Sequence, residues 1–312
     1  MPDAMPDAMT DAMPDATLPF HTLDVFTDRP FAGNPLAVVL EAGALTPAQM
    51  QTIAREFNLS ETIFVQPPAD PAHTARVRIF FPTAEIPFAG HPTIGCAILL
   101  ADRAHRGDFE TLITLEEEAG LVPVTVRRQA GQITAELTAP VTPFVRDPAP
   151  AADRIAAALD LAAEDIGPHR PGLCQGGPAF LYAPVVSLAA LARARPVEPA
   201  WSRLMQDHGV DSLYLYTATP GAGQDYRARM FSPTAGIPED PATGSATAIL
   251  AAQLLANGAL ADGTTTLQLM QGVEMGRPSR LRLSADVAQG RLQAVRIAGT
   301  AVALSQGRIR LP

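Results

Sequence analysis

RIFFPTAEIPFAGHPTIGCAI, residues Arg78 to Ile98, returns later in the chain as RMFSPTAGIPEDPATGSATAI, residues Arg229 to Ile249. A shift of 151 positions superposes Arg78 on Arg229, Pro82-Thr83-Ala84 on Pro233-Thr234-Ala235 and Ile86-Pro87 on Ile237-Pro238, with nine of twenty-one positions identical. Repetition over that distance predicts two copies of one unit of ordinary domain size. Each copy ends in a helix that is apolar on nearly all sides, Ile94 to Leu100 and Ala246 to Leu255. A helix without a polar face is buried. Strands lead into and out of both helices, so the reading is an α+β fold. Two pseudo-symmetric halves face each other, each an antiparallel sheet or barrel curled around a central helix.

The flanking sequence fills in the halves. Strand-like runs fall at Phe20–Phe26, Leu36–Leu40, Thr62–Gln66 and Ala75–Phe81. An amphipathic helix is expected over Pro47–Phe57, capped by Thr46 with proline at its first position. LITLEEE, LVPVTVRR and QITAELT read as a strand meander, and Pro-rich Thr138 to Ala151 reads as a linker. The second half repeats the order, with a helix near Asp153–Leu161 and strands near Phe180–Val186, Ser212–Tyr216 and Tyr226–Phe231. The resulting division is a disordered tail over 1–17, one half over 18–140 and another over 141–312, with the terminal strand free to pack back on the first half. The tail repeats Met-Pro-Asp-Ala and has neither an apolar core nor a positive cluster, so it is no signal peptide; Met13 is a candidate downstream start.

Composition removes several function classes. A net charge of -9 gives no basic footprint for nucleic acid, and no apolar run approaches a membrane span. All 23 basic residues are Arg. Without lysine there is no Schiff base, no pyridoxal phosphate attachment and no P-loop lysine. The two cysteines, Cys96 and Cys174, are too few for a disulfide framework or a zinc cluster and fit a reducing cytoplasm. The expectation from composition is a protein with a small molecule as its partner, without pyridoxal phosphate or a zinc cluster.

Two helix starts carry the candidate chemistry. His91 precedes Pro92 and Asp240 precedes Pro241, each resembling a polar cap followed by proline in the first turn. Free amides and the positive end of the helix dipole make such starts anion sites, and Gly90, Gly244 and Ser245 leave a ligand room to approach. If the pseudo-twofold joins them, one pocket lies between His91 and Asp240 and suits a carboxylate-bearing small molecule. Capping alone remains open for both residues, although it does not explain why equivalent starts carry different titratable groups. Glu61, in EFNLSETIFV, is either an exposed carboxylate or one that apolar neighbours such as Phe64 desolvate and tune for proton transfer.

Together DVFTDRPFAGNPLAVVL, EFNLSETIFV, IPFAGHPTIG and GIPEDPATGSA resemble the PhzF family, phenazine-biosynthesis isomerases with the diaminopimelate epimerase fold. The resemblance spans nearly the whole chain after the tail. It implies catalytic roles for Glu61, His91 and Asp240, and a substrate-binding set of Asn34, Gly90, Gly244 and Ser245. It also implies a homodimer and isomerisation of trans-2,3-dihydro-3-hydroxyanthranilate, with the glutamate moving a hydrogen between ring carbons and no metal or organic cofactor. Related racemases of this fold use two opposed cysteines at the helix starts. Neither start has one here, which disfavours that chemistry. Another isomerase or epimerase on the same residues, and a non-catalytic binding protein, are the alternatives.

Overall fold

The computed structural model describes residues 16–146, 148–219, 221, 223 and 225–312. The expected disordered tail lies outside them except for its last two positions, and Thr17 already belongs to a strand. The first half runs β1 (Thr17–Val25), β2 (Asn34–Val39), α1 (Pro47–Phe57), β3 (Glu61–Gln66), β4 (Ala75–Phe80), β5 (Glu85–Ile86), α2 (Gly90–Ala104), β6 (Phe109–Glu117), β7 (Gly120–Gln129) and β8 (Gln132–Thr138). Next come β9 (Phe144–Arg146), α3 (Ala152–Ala158), β10 (Gly172–Gln175), β11 (Ala179–Pro184), α4 (Leu188–Arg193), α5 (Ala200–His208) and β12 (Leu213–Ala218). The chain closes with β13 (Tyr226–Ser232), β14 (Ile237–Asp240), α6 (Gly244–Ala256), β15 (Gly263–Gln271), β16 (Ser279–Ala288), β17 (Arg291–Gly299) and β18 (Ala301–Arg310).

Both halves pair their strands alike. In the first, β1 is antiparallel to β2, β2 parallel to β3, β3 antiparallel to β4 and β4 parallel to β6, followed by the β6–β7–β8 meander. The second repeats this with β10, β11, β12, β13 and β15, then β15–β16–β17. The sheets are therefore mixed, where the sequence suggested antiparallel pairing throughout. Parallel neighbours need a crossover. The helices supply one at each parallel step: α1 between β2 and β3, α2 between β4 and β6, α4 and α5 between β11 and β12, and α6 between β13 and β15.

The halves also exchange strands. β18 pairs with β1 from Thr17↔Arg310 to Val25↔Ala301 and β8 pairs with β17, while β9 pairs with β10 within the second half. The Pro-rich segment read as a linker thus contains a strand. Inside the sheets, α2 and α6 contribute Ile94, Leu99, Ile249 and Leu254 to one continuous core with Val124, Val126, Leu281 and Leu283. On the outer faces, α1 lays Met50 and Ile53 over Phe64 and Phe80, and α5 seats Trp201 and Leu204 against Leu181 and Leu215. The capping box predicted at Thr46 is present, with Gln49 returning the bond to the Thr46 amide at 3.1 Å. Helices α4 and α5 were not anticipated. Their segment carries Pro196 and Pro199 among alternating Ala and Arg, which blurs its apolar periodicity.

The two central helices meet start to start. A Cβ placed on Gly90 would lie 3.2 Å from Gly244 Cα, so the backbones touch across the pseudo-twofold. Gly90 and Gly244 are the first residues of their helices. The second copy carries three more residues between its Ile-Pro pair and its helix than the first. Its hairpin absorbs them with a register shift between Met230 and Ser232. His91 therefore corresponds in space to Ser245, and Asp240 has no counterpart at a helix start.

Candidate active site

Neither His91 nor Asp240 caps a helix. Ala89 and Thr243 hold the cap positions, neither with a side-chain capping bond, and His91 is the second residue of α2. Asp240 is the last residue of β14, opposite Met230. Its side chain turns inward, and Thr243 Oγ1 donates to Oδ2 at 2.5 Å. Asn34 Nδ2 donates to Oδ1 at 2.8 Å, and Ser60 Oγ lies at 3.5 Å from the same oxygen. Glu239 points the other way, pairing bidentately with Arg229 at 2.8 and 2.9 Å. The same guanidinium donates to the Leu191, Ala192 and Ala194 carbonyls at the end of α4. The adjacent acids thus face opposite sides of a strand, one structural and one turned to the site.

Asn34 is fully buried at the start of β2 and links the two halves. Its amide has two hydrogens, and its nearest acceptors are Asp240 Oδ1 at 2.8 Å and the Ala242 carbonyl at 2.9 Å. No hydrogen remains for His91 Nδ1, 3.2 Å away. Assigned from this network, the imidazole proton sits on Nδ1, and Nε2 turns a lone pair toward Glu61 Oε2 at 3.4 Å. Asn34 Oδ1, Glu61 Oε2 and His91 Nε2 are all buried without a hydrogen-bonding partner. Unpaired buried polar atoms are uncommon and costly, and here they gather at one place.

Burial sets the charges. It pushes the Glu61 carboxyl well above its usual range, and the charge on Asp240 pushes it further. Burial raises Asp240 to about 6 against the hydrogen bonds from Thr243, Asn34 and Ser60. Those bonds favour the negative charge on Asp240 over Glu61. His91 falls to about 3 through burial, with the Pro35 carbonyl opposing, so its ring is neutral. Phe64 is not the desolvating neighbour: Glu61 and Ile63 face inward from β3, while Phe64 packs outward in the α1 layer.

Glu61 and Asp240 open on a cavity of about 560 Å³, which Thr243 and Ser245 also line. Its walls are largely apolar, among them Phe88, Pro140, Phe180, Met230 and Ile237. Amides in the first turn of α6 are free of helical partners, because the first bond back into that helix is Thr247 N to Thr243 O. Asn34 and His91 stand behind the lining, while Gly90 and Gly244 lie on the adjacent seam between the helices. Gln271 was not foreseen. It donates to the Asp240 carbonyl at 2.9 Å and to Thr243 Oγ1 at 3.0 Å, fixing the loop that carries Asp240. The signal was a glutamine ending an apolar strand just before Gly272, where a Cβ would meet the Pro241 carbonyl at 2.6 Å.

Residues 23–307 match the family model described as phenazine biosynthesis-like protein. The chain belongs to that PhzC-PhzF family. It is 42% identical to an uncharacterized isomerase of Mesorhizobium japonicum over 92% of this chain and 96% of the relative. It is 36% identical to the trans-2,3-dihydro-3-hydroxyanthranilate isomerase of Pseudomonas aeruginosa, over 93% and 98% of the two chains. The crystal structure of the Bacillus anthracis phenazine biosynthesis protein of the PhzF family superposes with a TM-score of 0.84 at 26% identity, covering 94% and 99%. This PhzF-family chain is accordingly an isomerase with an epimerase-like α+β fold. No helix among its described residues is long and apolar enough to cross a membrane.

Proposed function

We propose that this chain moves a hydrogen between two carbons of a small carboxylate, with Glu61 as the proton carrier. The compound named for the Pseudomonas aeruginosa relative, trans-2,3-dihydro-3-hydroxyanthranilate, is the first substrate to test. One observation carries the reading: Glu61 faces the cavity with its carboxyl pushed strongly up, beside a neutral histidine. Ionised Glu61 takes the C–H proton. Its raised pKa keeps that proton on the carboxyl instead of releasing it to Asp240, and the proton returns to a second carbon of the same ligand. His91 and Asn34 do not touch the ligand in this scheme; they orient Glu61 and Asp240. The amides of the first α6 turn and Ser245 hold the substrate carboxylate and the charge that develops in its conjugated system.

A reducing cytoplasm and a homodimer accompany this proposal, the former consistent with two buried free cysteines. Two-carboxyl epimerisation is the second reading, favoured because Asp240 also lines the cavity. Incubation of the substrate in heavy water, followed by NMR, tests both. Deuterium is expected at a carbon different from the one that loses hydrogen. Exchange with inversion at a single carbon would favour the epimerase, and absence of exchange with any small carboxylate would overturn proton transfer altogether.

A further inference from the structure

The strands that follow the two central helices end on matching polar residues. A shift of 154 positions carries Ala89-Gly90-His91 onto Thr243-Gly244-Ser245, Thr93 onto Thr247, and the nine residues of β6 onto the nine of β15. Glu117, the last residue of β6, therefore stands where Gln271 stands at the end of β15. Gln271 fastens the segment leading into α6, accepting from the Thr243 amide and donating to Thr243 Oγ1 and the Asp240 carbonyl. Beside α2 the same place is held by a buried carboxyl. The chain just beyond it is tied to the approach to α2, because the Ala119 amide donates to the Pro87 carbonyl at 3.1 Å. Pro87, Phe88, Ala89 and Ala119 all line the cavity.

The hydrogens around Glu117 can be counted. Thr93 Oγ1 lies 2.6 Å from Glu117 Oε1 and 2.7 Å from the Ala89 carbonyl. A hydroxyl has one hydrogen, and a carbonyl can only accept. With that hydrogen on the Ala89 carbonyl, the second short contact needs a hydrogen from Glu117. Glu117 is then a neutral carboxyl with one donor and one acceptor, the bonding pattern of a glutamine. Its Oε2 is buried without a partner, which costs less for a carbonyl oxygen than for a carboxylate. Its surroundings supply no counter-charge. Glu117 has no ion pair among the described residues. The titratable groups at this end of α2 are His91, whose ring is neutral, and Cys96, whose thiol burial and the Glu117 charge push up. Toward β4 and β5, the Arg78 guanidinium is taken by Glu85, and Glu118 acts on the same arginine. Burial raises the Glu117 carboxyl to about 8, against the Thr93 hydroxyl, which favours the charge only as a donor.

We propose that Glu117 is a positioning residue that works as a neutral carboxyl: through Thr93 it pins the Ala89 carbonyl and so sets the start of α2, from which His91 faces Glu61. The ionised form cannot donate, so ionisation frees that start. The inference rests on the role proposed above for His91 in orienting Glu61.

The test is NMR of the full chain with isotope-labelled histidine, titrated from neutral to alkaline pH. A Glu61→Gln background keeps Glu61 itself from titrating beside the ring. The His91 signal, identified by its loss in His91→Asn, is expected to shift with a midpoint near pH 8. Adding Glu117→Gln, which keeps a donor and an acceptor at every pH, should hold the signal at its neutral-pH position throughout. With Glu61 restored, kcat should fall up to about tenfold further in the chain with Glu117 than in Glu117→Gln over the same range, the scale of one lost hydrogen bond. A His91 signal that stays fixed while Glu117 is present, one that moves equally in Glu117→Gln, or identical kcat profiles would overturn the proposal. The NMR titrations need no substrate, so they decide it even if heavy-water exchange overturns proton transfer.

Discussion

Glu61 Oε2 and His91 Nε2 lie 3.4 Å apart, both buried, and neither atom has a hydrogen-bonding partner. Because the imidazole is neutral, the pair is not a salt bridge. Burial favours the neutral form of both groups, so a carboxyl with a strengthened hold on its proton faces an uncharged ring next to the cavity.

Glu61→Gln keeps a donor toward His91 Nε2, so the fold and ligand binding should survive. Turnover should fall at least about a hundredfold, the scale of general acid–base catalysis. Steady-state kinetics beside a melting curve checks this; near-normal turnover would remove Glu61 from the chemistry.

If ionised Glu61 starts the cycle, kcat/KM should rise with pH above the ordinary carboxylate range, because burial and Asp240 shift its ionisation upward. A profile that falls over the same range would mean that the carboxyl acts first as an acid.

Asp240 also leaves a signature in stability. Its native pKa, about 6, lies above the ordinary 3.8, so the folded protein binds this proton more tightly than the unfolded chain. The favourable term is complete below about pH 4 and is lost as pH rises toward 6, up to about 3 kcal/mol. Asp240→Asn should therefore gain melting temperature relative to wild type between pH 4 and pH 7 while losing activity. A difference that stays flat with pH would contradict the assignment.

Glu239→Gln should do the opposite. It weakens the bidentate partner of buried Arg229, so it should cost roughly 1–3 kcal/mol in denaturant melts. Turnover of the folded fraction should stay close to wild type, since Glu239 points away from the cavity.

Gly90→Ala should lower both stability and activity. Its Cβ would lie 3.2 Å from Gly244 Cα, against backbone that can only move apart. Cys96→Ala makes the contrast: the thiol is fully buried with its pKa raised by burial and Glu117, and its loss should spare turnover. Crystal structures and kinetics of both variants check the pair.

Much of this was legible in the sequence. Arg78 and Arg229 begin the repeats, and both pair with a glutamate of the following hairpin strand, Glu85 and Glu239. The structure brings Asn34, Glu61, His91 and Asp240 together, residues spread over 206 positions. The three-residue difference before α6 was not legible, because an ungapped comparison aligns the Ile-Pro pairs but not the helix starts. That is why Asp240 was matched with His91 as a cap. The roles of Thr243 and Gln271 depend on chain segments whose course only the assembled halves define.

Strand β18 has a consequence for how the chain is made. β1 finds one of its two neighbours only when residues Ala301–Arg310 have been made. Until then one edge of the first sheet is open, with its amides and carbonyls free to recruit another chain. The first sheet is therefore complete only once Ala301–Arg310 is in place, and loss of this strand would bare the β1 edge and remove Ala301, the partner of Val25, whose other neighbour is Asn34 of the site.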